Sequence, residues 1–297
     1  MQEPRVENYV RDTSPNTGRI ILTAGRSNVK VEETSFQSGQ ATLSGQLCFP
    51  DHVPAPALLI CHGLNARGSN GLRLYRRLAE KASENGFVSF VFDSRGVGKS
   101  TGEFDYGLGE QEDIRSALNY LSSRSEVFPD RIFIVGHSLG GAVSIYAVRN
   151  DKRVKGLVLW STPKNHSYNV KKFIRRTKGR LGLQLFFIFS YIDKVVNVSK
   201  LASLNVYGVN LRPKEVRQKL MKLNEQEAVT KLHSIPILVV IGQADSIVGV
   251  DEAQAIYDAA NPPKTMLIIE GADHIYKGKE QELIDKTLEW IKDTAKL

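Results

Sequence analysis

The chain of 297 residues is 41% hydrophobic and 24% charged, a composition that fits a folded globular protein and excludes a disordered or low-complexity one. Its formal net charge of +8 is uneven: residues 161–230 hold fourteen Lys and Arg against four acids, or +10, which leaves −2 for the remainder. The N-terminal MQEPRVENYVRDTSPN lacks the apolar core of a secretory leader, and the longest strongly apolar run, 181–192, is 12 residues long where a membrane span needs about 20, so a cytoplasmic protein is expected.

In chain order, residues 1–28 show weak periodicity and are predicted to be an extended lead-in. Strands are predicted over VKVEETSFQ (29–37), ATLSGQLCFP (41–50) and APALLICHG (55–63). The last is continuously apolar, as expected of a strand buried on both faces. The two cysteines, Cys48 and Cys61, fall in these strands and are expected to be buried free thiols. A helix over 71–85 closes at Gly86. Strand 87–92, helix 109–123, strand 131–136, helix 139–150 and strand 154–160 follow. Residues 161–230 interrupt the series with helical stretches and no clear strand. Strand 235–242, helix 250–260, strand 265–271 and helix 279–295 complete it. Apolar strands alternating with amphipathic helices predict an α/β fold: a mostly parallel sheet flanked by helices, with an antiparallel leading edge. The expected core is 29–160 plus 231–297. The segment 161–230 is read as a helical cap inserted after the strand ending near Trp160, on the side of the sheet where ligands of such folds bind.

The stretch FDSRGVGKSTGEF (92–104) ends like a phosphate-binding loop. The loop pattern G-x-x-x-x-G-K-[ST] requires a glycine where Asp93 stands. A carboxylate there would face the phosphates, and the glycine-rich GEFDYGLGE that follows is a poor helix start. Nucleotide binding is therefore rejected. Gly96 and Gly98 are read as turn glycines instead.

The stronger motif is Gly136-His137-Ser138-Leu139-Gly140, a G-x-S-x-G between a buried strand and an amphipathic helix. Such a turn exposes the serine hydroxyl in a strained backbone conformation, and Gly136 and Gly140 avoid clashes with the crossing strand and helix. Serine alone is a weak nucleophile and needs a base that a carboxylate orients. In this arrangement the chain order is serine, acid, histidine. His52 and His62 precede the serine, His137 adjoins it, His166 lies in the insertion and His233 precedes a strand. His274, in GADHIY just past a strand, is the candidate base. Asp245, just past the strand before it, is the candidate acid. Asp273 would point away from its sequence neighbour, and Asp251 suits a helix first turn. The expected oxyanion donors are the backbone N–H groups of Leu139 and of Leu64, the latter in the loop CHGLNARGSNG, where Gly63 permits close backbone approach. His62 either braces that loop by hydrogen bonding or is a packed strand-end histidine.

The segments HGL (62–64), FDSRGVGKSTG (92–102), GHSLGG (136–141), GQADSIV (242–248) and GADH (271–274) occur in the order and form seen in the α/β-hydrolase superfamily. Over residues 40–290 the chain resembles its serine aminopeptidase S33-like, monoacylglycerol lipase-like and feruloyl esterase-like members. Their D-x-R-G-x-G-x-S is matched by Asp93, Arg95, Gly96, Gly98 and Ser100. The chain departs at Asn65, where many lipase-like members have glycine. It also has Leu139 where proline-releasing peptidases have tryptophan, which argues against an aminopeptidase.

The resemblance implies an α/β-hydrolase fold and a serine hydrolase cleaving carboxylic esters through an acyl-enzyme. The same residues suit amide or thioester hydrolysis, and a non-enzymatic binding protein on this scaffold is the third reading. No cofactor, metal or nucleic acid is expected; the partner is a small-molecule ester or acyl substrate. Residues 164–180 hold seven Lys and Arg and no acid. They form a solvated basic face, or a lid whose charge draws in anionic substrates or an anionic membrane surface.

Overall fold

The computed structural model describes residues 21–23, 29–65, 67–192 and 204–296. The elements run β1 (Ile21–Thr23), β2 (Lys30–Ser38), β3 (Ala41–Phe49), β4 (Ala55–Cys61), α1 (Arg73–Glu84), β5 (Val88–Phe92), α2 (Gly109–Ser122), β6 (Val127–His137), α3 (Leu139–Ala147) and β7 (Val154–Trp160). Then come α4 (His166–Ile192), β8 (Leu204–Val206), β9 (Val209–Leu211), α5 (Pro213–Gln218), α6 (Glu225–Val229), β10 (Ile237–Gly242), α7 (Val250–Ala259), β11 (Lys264–Ile269) and α8 (Glu280–Ala295). Apart from β1, which forms inside the predicted lead-in, the core elements lie where the sequence predicts them. Most of 1–28 is outside the described residues.

The main sheet has nine strands in the order β1-β2-β3-β5-β4-β6-β7-β10-β11. β1, β2 and β3 are antiparallel, β3 meets β5 antiparallel, and β5 through β11 in that order are parallel. Each central strand feeds both faces. In β4, Ala57, Leu59 and Cys61 join the core under α2, α3 and α7, while Leu58 and Ile60 join the core under α1 and α8. That is the period-2 alternation of a strand covered twice. Cys48 and Cys61 therefore lie on opposite faces as free thiols, and burial pushes each up to about 12.

The loop after β5 shows what the GKST stretch does. The Asp93 carboxylate accepts from the Ser69 N–H and Oγ (2.6 Å each) and from the Lys99 N–H (2.8 Å). It thereby ties this loop to the one after β4. A Cβ on Gly98, which has φ +59°, would lie 2.1 Å from the Asp93 carboxylate, so only glycine fits. Ser100 Oγ donates to the Asp93 carbonyl and accepts from the Ser44 N–H. Lys99 points outward, its Nζ 3.7 Å from Glu33. Arg95 donates from Nε and Nη2 to Asp113 Oδ1 at 3.0 and 2.7 Å, and its own N–H donates to Oδ2 at 2.9 Å. The motif is a loop clamp.

The segment between β7 and β10 departs from expectation in one respect. β8 and β9 pair as an antiparallel hairpin where no strand is predicted. Its turn, Tyr207-Gly208, has both φ values positive, at 49° and 85°, the geometry of the two-residue turns that match strand twist. α4 is broken at Gly179 (φ 70°, ψ −174°). Before the break Ile174 is buried, and after it Phe186 is buried while Leu181, Leu185 and Ile188 stay exposed. Among the described residues no helix is long and apolar enough to cross a membrane.

Asp113 is fully buried and receives three bonds from Arg95. Asp113→Ala strands the guanidinium and should lower the unfolding free energy by about 3 kcal/mol in urea titration. A loss below about 1 kcal/mol would show that the clamp carries no weight.

Candidate active site

Ser138 sits between the end of β6 and the start of α3 with φ 53° and ψ −118°, a conformation that L side chains rarely adopt. Its N–H is held by the Trp160 carbonyl of β7 at 2.8 Å. The flanking glycines are sterically required. A Cβ on Gly136 would lie 2.5 Å from the Gly141 Cα, and one on Gly140 would lie 2.3 Å from the Cys61 carbonyl oxygen. α3 can thus leave the strand at once, crossing the end of β4.

His274 follows β11 and Asp245 follows β10, as predicted. Ser138 Oγ is 3.2 Å from His274 Nε2, and His274 Nδ1 is 2.8 Å from Asp245 Oδ2. A carboxylate can only accept, so Nδ1 carries the proton and Nε2 presents its lone pair to the serine hydroxyl. Asp245 Oδ1 accepts from the Ile247 and Val248 N–H groups at 2.9 and 3.0 Å. Burial opposes ionisation of Asp245, but the bond to His274, its charge and these two amides outweigh it and hold the carboxyl below its usual value. Asp273 instead accepts from the amides of Ile275 and Lys277 and faces away. Asp251 lies in the first turn of α7.

Leu64 and Leu139 line the same cavity as Ser138 and His274. Leu139 is the first residue of α3, and among the described residues neither leucine N–H has an intramolecular acceptor. Gly63 lets the two loops approach: a Cβ there would stand 3.3 Å from the Ser138 Cβ and 3.2 Å from His137 Nδ1. His62 braces the loop. Its Nε2 accepts from the Ser94 N–H at 3.0 Å, so its Nδ1–H donates to the Gly63 carbonyl at 2.7 Å. Burial lowers its pKa, in keeping with a neutral ring.

Tyr75 on α1 is a site residue that sequence reasoning missed, because nothing in a helical heptad marks it. Its Oη accepts from the Gly63 N–H at 3.0 Å and donates to His137 Nδ1 at 2.7 Å. His137 Nε2–H then donates to the His274 backbone carbonyl at 2.9 Å. A buried chain of hydrogen bonds thus links the loop after β4, the serine turn and the loop carrying His274. Burial, with His274 nearby, pushes the His137 pKa down to about 3, which keeps Nδ1 available as the acceptor.

The cavity over Ser138 measures about 340 Å³ and is mostly apolar, with Phe173, Val206, Leu211 and Leu220 among its walls. Among the described residues no Lys, Arg, Asp or Glu lines it. Some basic residues of this segment bind outside the cavity, while Lys171, Arg175, Lys178 and Arg180 are exposed on α4. Lys172 pairs with Glu252 at 3.2 Å, Arg176 reaches the Ser246 carbonyl, and Lys219 pairs with Asp105.

Comparison with known proteins adds three findings. Residues 52–278 match the family model described as serine aminopeptidase, S33. YfhR of Escherichia coli K12, itself uncharacterised, is 25% identical over 215 residues, covering 71% of this chain and 62% of YfhR, so the chain spans less than two thirds of that relative. Among solved structures, the hypothetical protein PA2218 of Pseudomonas aeruginosa superposes with a TM-score of 0.72 at 20% identity, covering 99% of both chains. Est1E of Butyrivibrio proteoclasticus, solved with ferulic acid bound, gives 0.70 at 21% identity, covering 89% of this chain and 100% of that one.

An unfolded histidine protonates near 6.5, whereas folded His137 resists until about 3. The unfolded state therefore binds the extra proton in that window, and this ring's contribution to stability is lost as pH falls through it. In a nitrogen-15 NMR titration of the folded protein, His137 should stay neutral and Nε2-protonated down to about pH 4. An imidazolium at His137 at about pH 6 would contradict the network.

Proposed function

The chain belongs to the serine aminopeptidase S33 family of the α/β-hydrolase superfamily, and we propose that it is a serine hydrolase that cleaves neutral carboxylic esters seated in a mostly apolar cavity. The observation that carries this reading is the hydrogen-bonded series Ser138–His274–Asp245 opening into a mostly apolar cavity that no Lys, Arg, Asp or Glu lines among the described residues.

In the proposed reaction, Ser138 Oγ attacks the ester carbonyl carbon as its proton passes to His274 Nε2. Asp245 holds the imidazole in the required tautomer and stabilises the imidazolium. The negative oxygen of the tetrahedral intermediate is bound by the N–H groups of Leu64 and Leu139, each such donor being worth on the order of 3 kcal/mol of barrier. The intermediate collapses, His274 returns its proton to the departing alkoxide, and an acyl-enzyme remains on Ser138. Water, deprotonated by His274, attacks the acyl carbon; the bond to Ser138 Oγ then breaks, His274 returns the proton to Oγ, and the acid leaves.

Esters are favoured over N-terminal peptide substrates for a physical reason. An aminopeptidase must bind the ammonium group of its substrate, and desolvating that charge without a partner costs several kcal/mol, roughly 2–7 on transfer scales for even a neutral polar group. Among the described residues the cavity lining offers no carboxylate for it. Lys172, Arg176 and Lys219 are tied to Glu252, a backbone carbonyl and Asp105, and Lys171, Arg175, Lys178 and Arg180 are exposed on α4 outside the cavity lining, so a neutral substrate suits the cavity itself better.

The test is a panel of p-nitrophenyl acyl esters, aminoacyl anilides and acyl thioesters. The neutral medium-chain esters should be turned over fastest. Ser138→Ala and His274→Ala should each lower kcat by about a thousandfold or more with unchanged melting, and the double variant should add little. Faster turnover of the anilides, or ester turnover that survives Ser138→Ala, would contradict the proposal.

A further inference from the structure

Resting on the ester-hydrolase reading, we propose that His166 and Asn169 form a polar subsite in the cavity that accepts a hydrogen bond from a hydroxyl on the group seated there, so that the preferred substrates are esters of hydroxylated rather than purely apolar acids or alcohols. α4 turns one face to the cavity: His166, Asn169, Val170 and Phe173 all line it, at the i, i+3, i+4, i+7 spacing of one helix stripe. The stripe is apolar at Val170 and Phe173 and polar at its start.

Each polar member is oriented by a fully buried carboxylate behind it. His166 is 7% exposed, and its Nδ1 lies 2.6 Å from Oε1 of Glu225, which is 0% exposed. A carboxylate accepts, so Nδ1 carries the hydrogen, and in the neutral ring Nε2 presents a lone pair. Among the described residues nothing donates to that nitrogen. Asn169 donates its amide to both Glu252 oxygens, at 3.2 and 3.1 Å, and to the Ile247 carbonyl at 3.4 Å. Those partners can only accept, which fixes the amide orientation and leaves Oδ1 with no donor among the described residues. Glu225 and Glu252 stand outside the cavity wall; His166 and Asn169 stand in it.

Two unpartnered acceptors one helical turn apart, in a mostly apolar space, disfavour a wholly apolar ligand. Burying them against hydrocarbon costs free energy that a substrate hydroxyl recovers. The chemistry at Ser138 uses neither residue. A brace for the cap alone would not require either to face the cavity.

The experiment compares methyl octanoate, its monohydroxylated derivatives along the chain, the O-methyl ethers of those derivatives, and octyl acetates modified in the same way. In the wild type, kcat/KM for the best hydroxylated ester should exceed that of its methyl ether by about tenfold or more. The ratio should fall toward one in Asn169→Leu, where Lys172 still pairs with Glu252. It should fall likewise in the double variant His166→Phe/Glu225→Leu, which strands no buried charge. Because each ratio is taken within one protein, a general loss of activity cancels. Calorimetric binding of the same pairs to Ser138→Ala reads the subsite without turnover and should show the same preference.

Ester turnover with no hydroxyl preference in rate or binding would overturn the subsite and leave the hydrolase reading intact. Preference that survives both variants would overturn the assignment to His166 and Asn169. Hydroxyl-dependent binding to Ser138→Ala, with no ester hydrolysed by the wild type, would support the subsite and sink the esterase reading.

Discussion

The arrangement over the sheet depends on one buried ring. His137 stands next to Ser138 in the chain, yet its imidazole turns inward, accepting from Tyr75 and donating to the His274 carbonyl. Through Tyr75 it also reaches the Gly63 N–H. Three loops from different strand ends share this one set of bonds. A buried network of this kind confers a single geometry only when every member is satisfied. Here each donor has an acceptor, and the depressed pKa of His137 follows from the same burial.

The second constraint is steric. The serine turn and the loop after β4 approach so closely that Gly63, Gly136 and Gly140 each face another backbone or the serine itself. Glycine at these positions lets the loop after β4 pack directly against the serine turn, so that Leu64, Ser138 and Leu139 line one cavity. The Asp93 clamp holds the neighbouring loop in register with Ser69. The stretch that imitates a phosphate loop is therefore part of the frame around the serine.

These parts differ in how readable they are from sequence. The parallel strands were legible because a strand covered on both faces must be continuously apolar, as ALLIC and ILVVI are. Ser138, Asp245 and His274 were legible because each lies just past the end of a parallel strand, where side chains leave the sheet. Tyr75 was not legible: it sits in α1 at a position indistinguishable from a core aromatic, and its role depends on a partner 62 residues away. The hairpin of β8 and β9 was missed because each strand has three residues, too few for a period to register; the Tyr-Gly turn was its only local sign. The basic segment 164–180 reads as a uniform positive face in sequence. In the structure Lys172 and Arg176 are bound to Glu252 and to backbone carbonyls on the far side of a gap of about 70 residues or more, as the bonds to Ser246 and Glu252 span 70 and 80 positions.

The central claim is that Ser138 carries the acyl group during turnover. The most direct measurement is mass spectrometry of protein quenched in acid during hydrolysis of a p-nitrophenyl acyl ester, followed by peptide mapping. The account predicts an added acyl mass on the peptide containing Ser138, absent in Ser138→Ala. An adduct on another residue, or rapid ester turnover with no acyl-enzyme on any peptide even under conditions that slow deacylation, would contradict it.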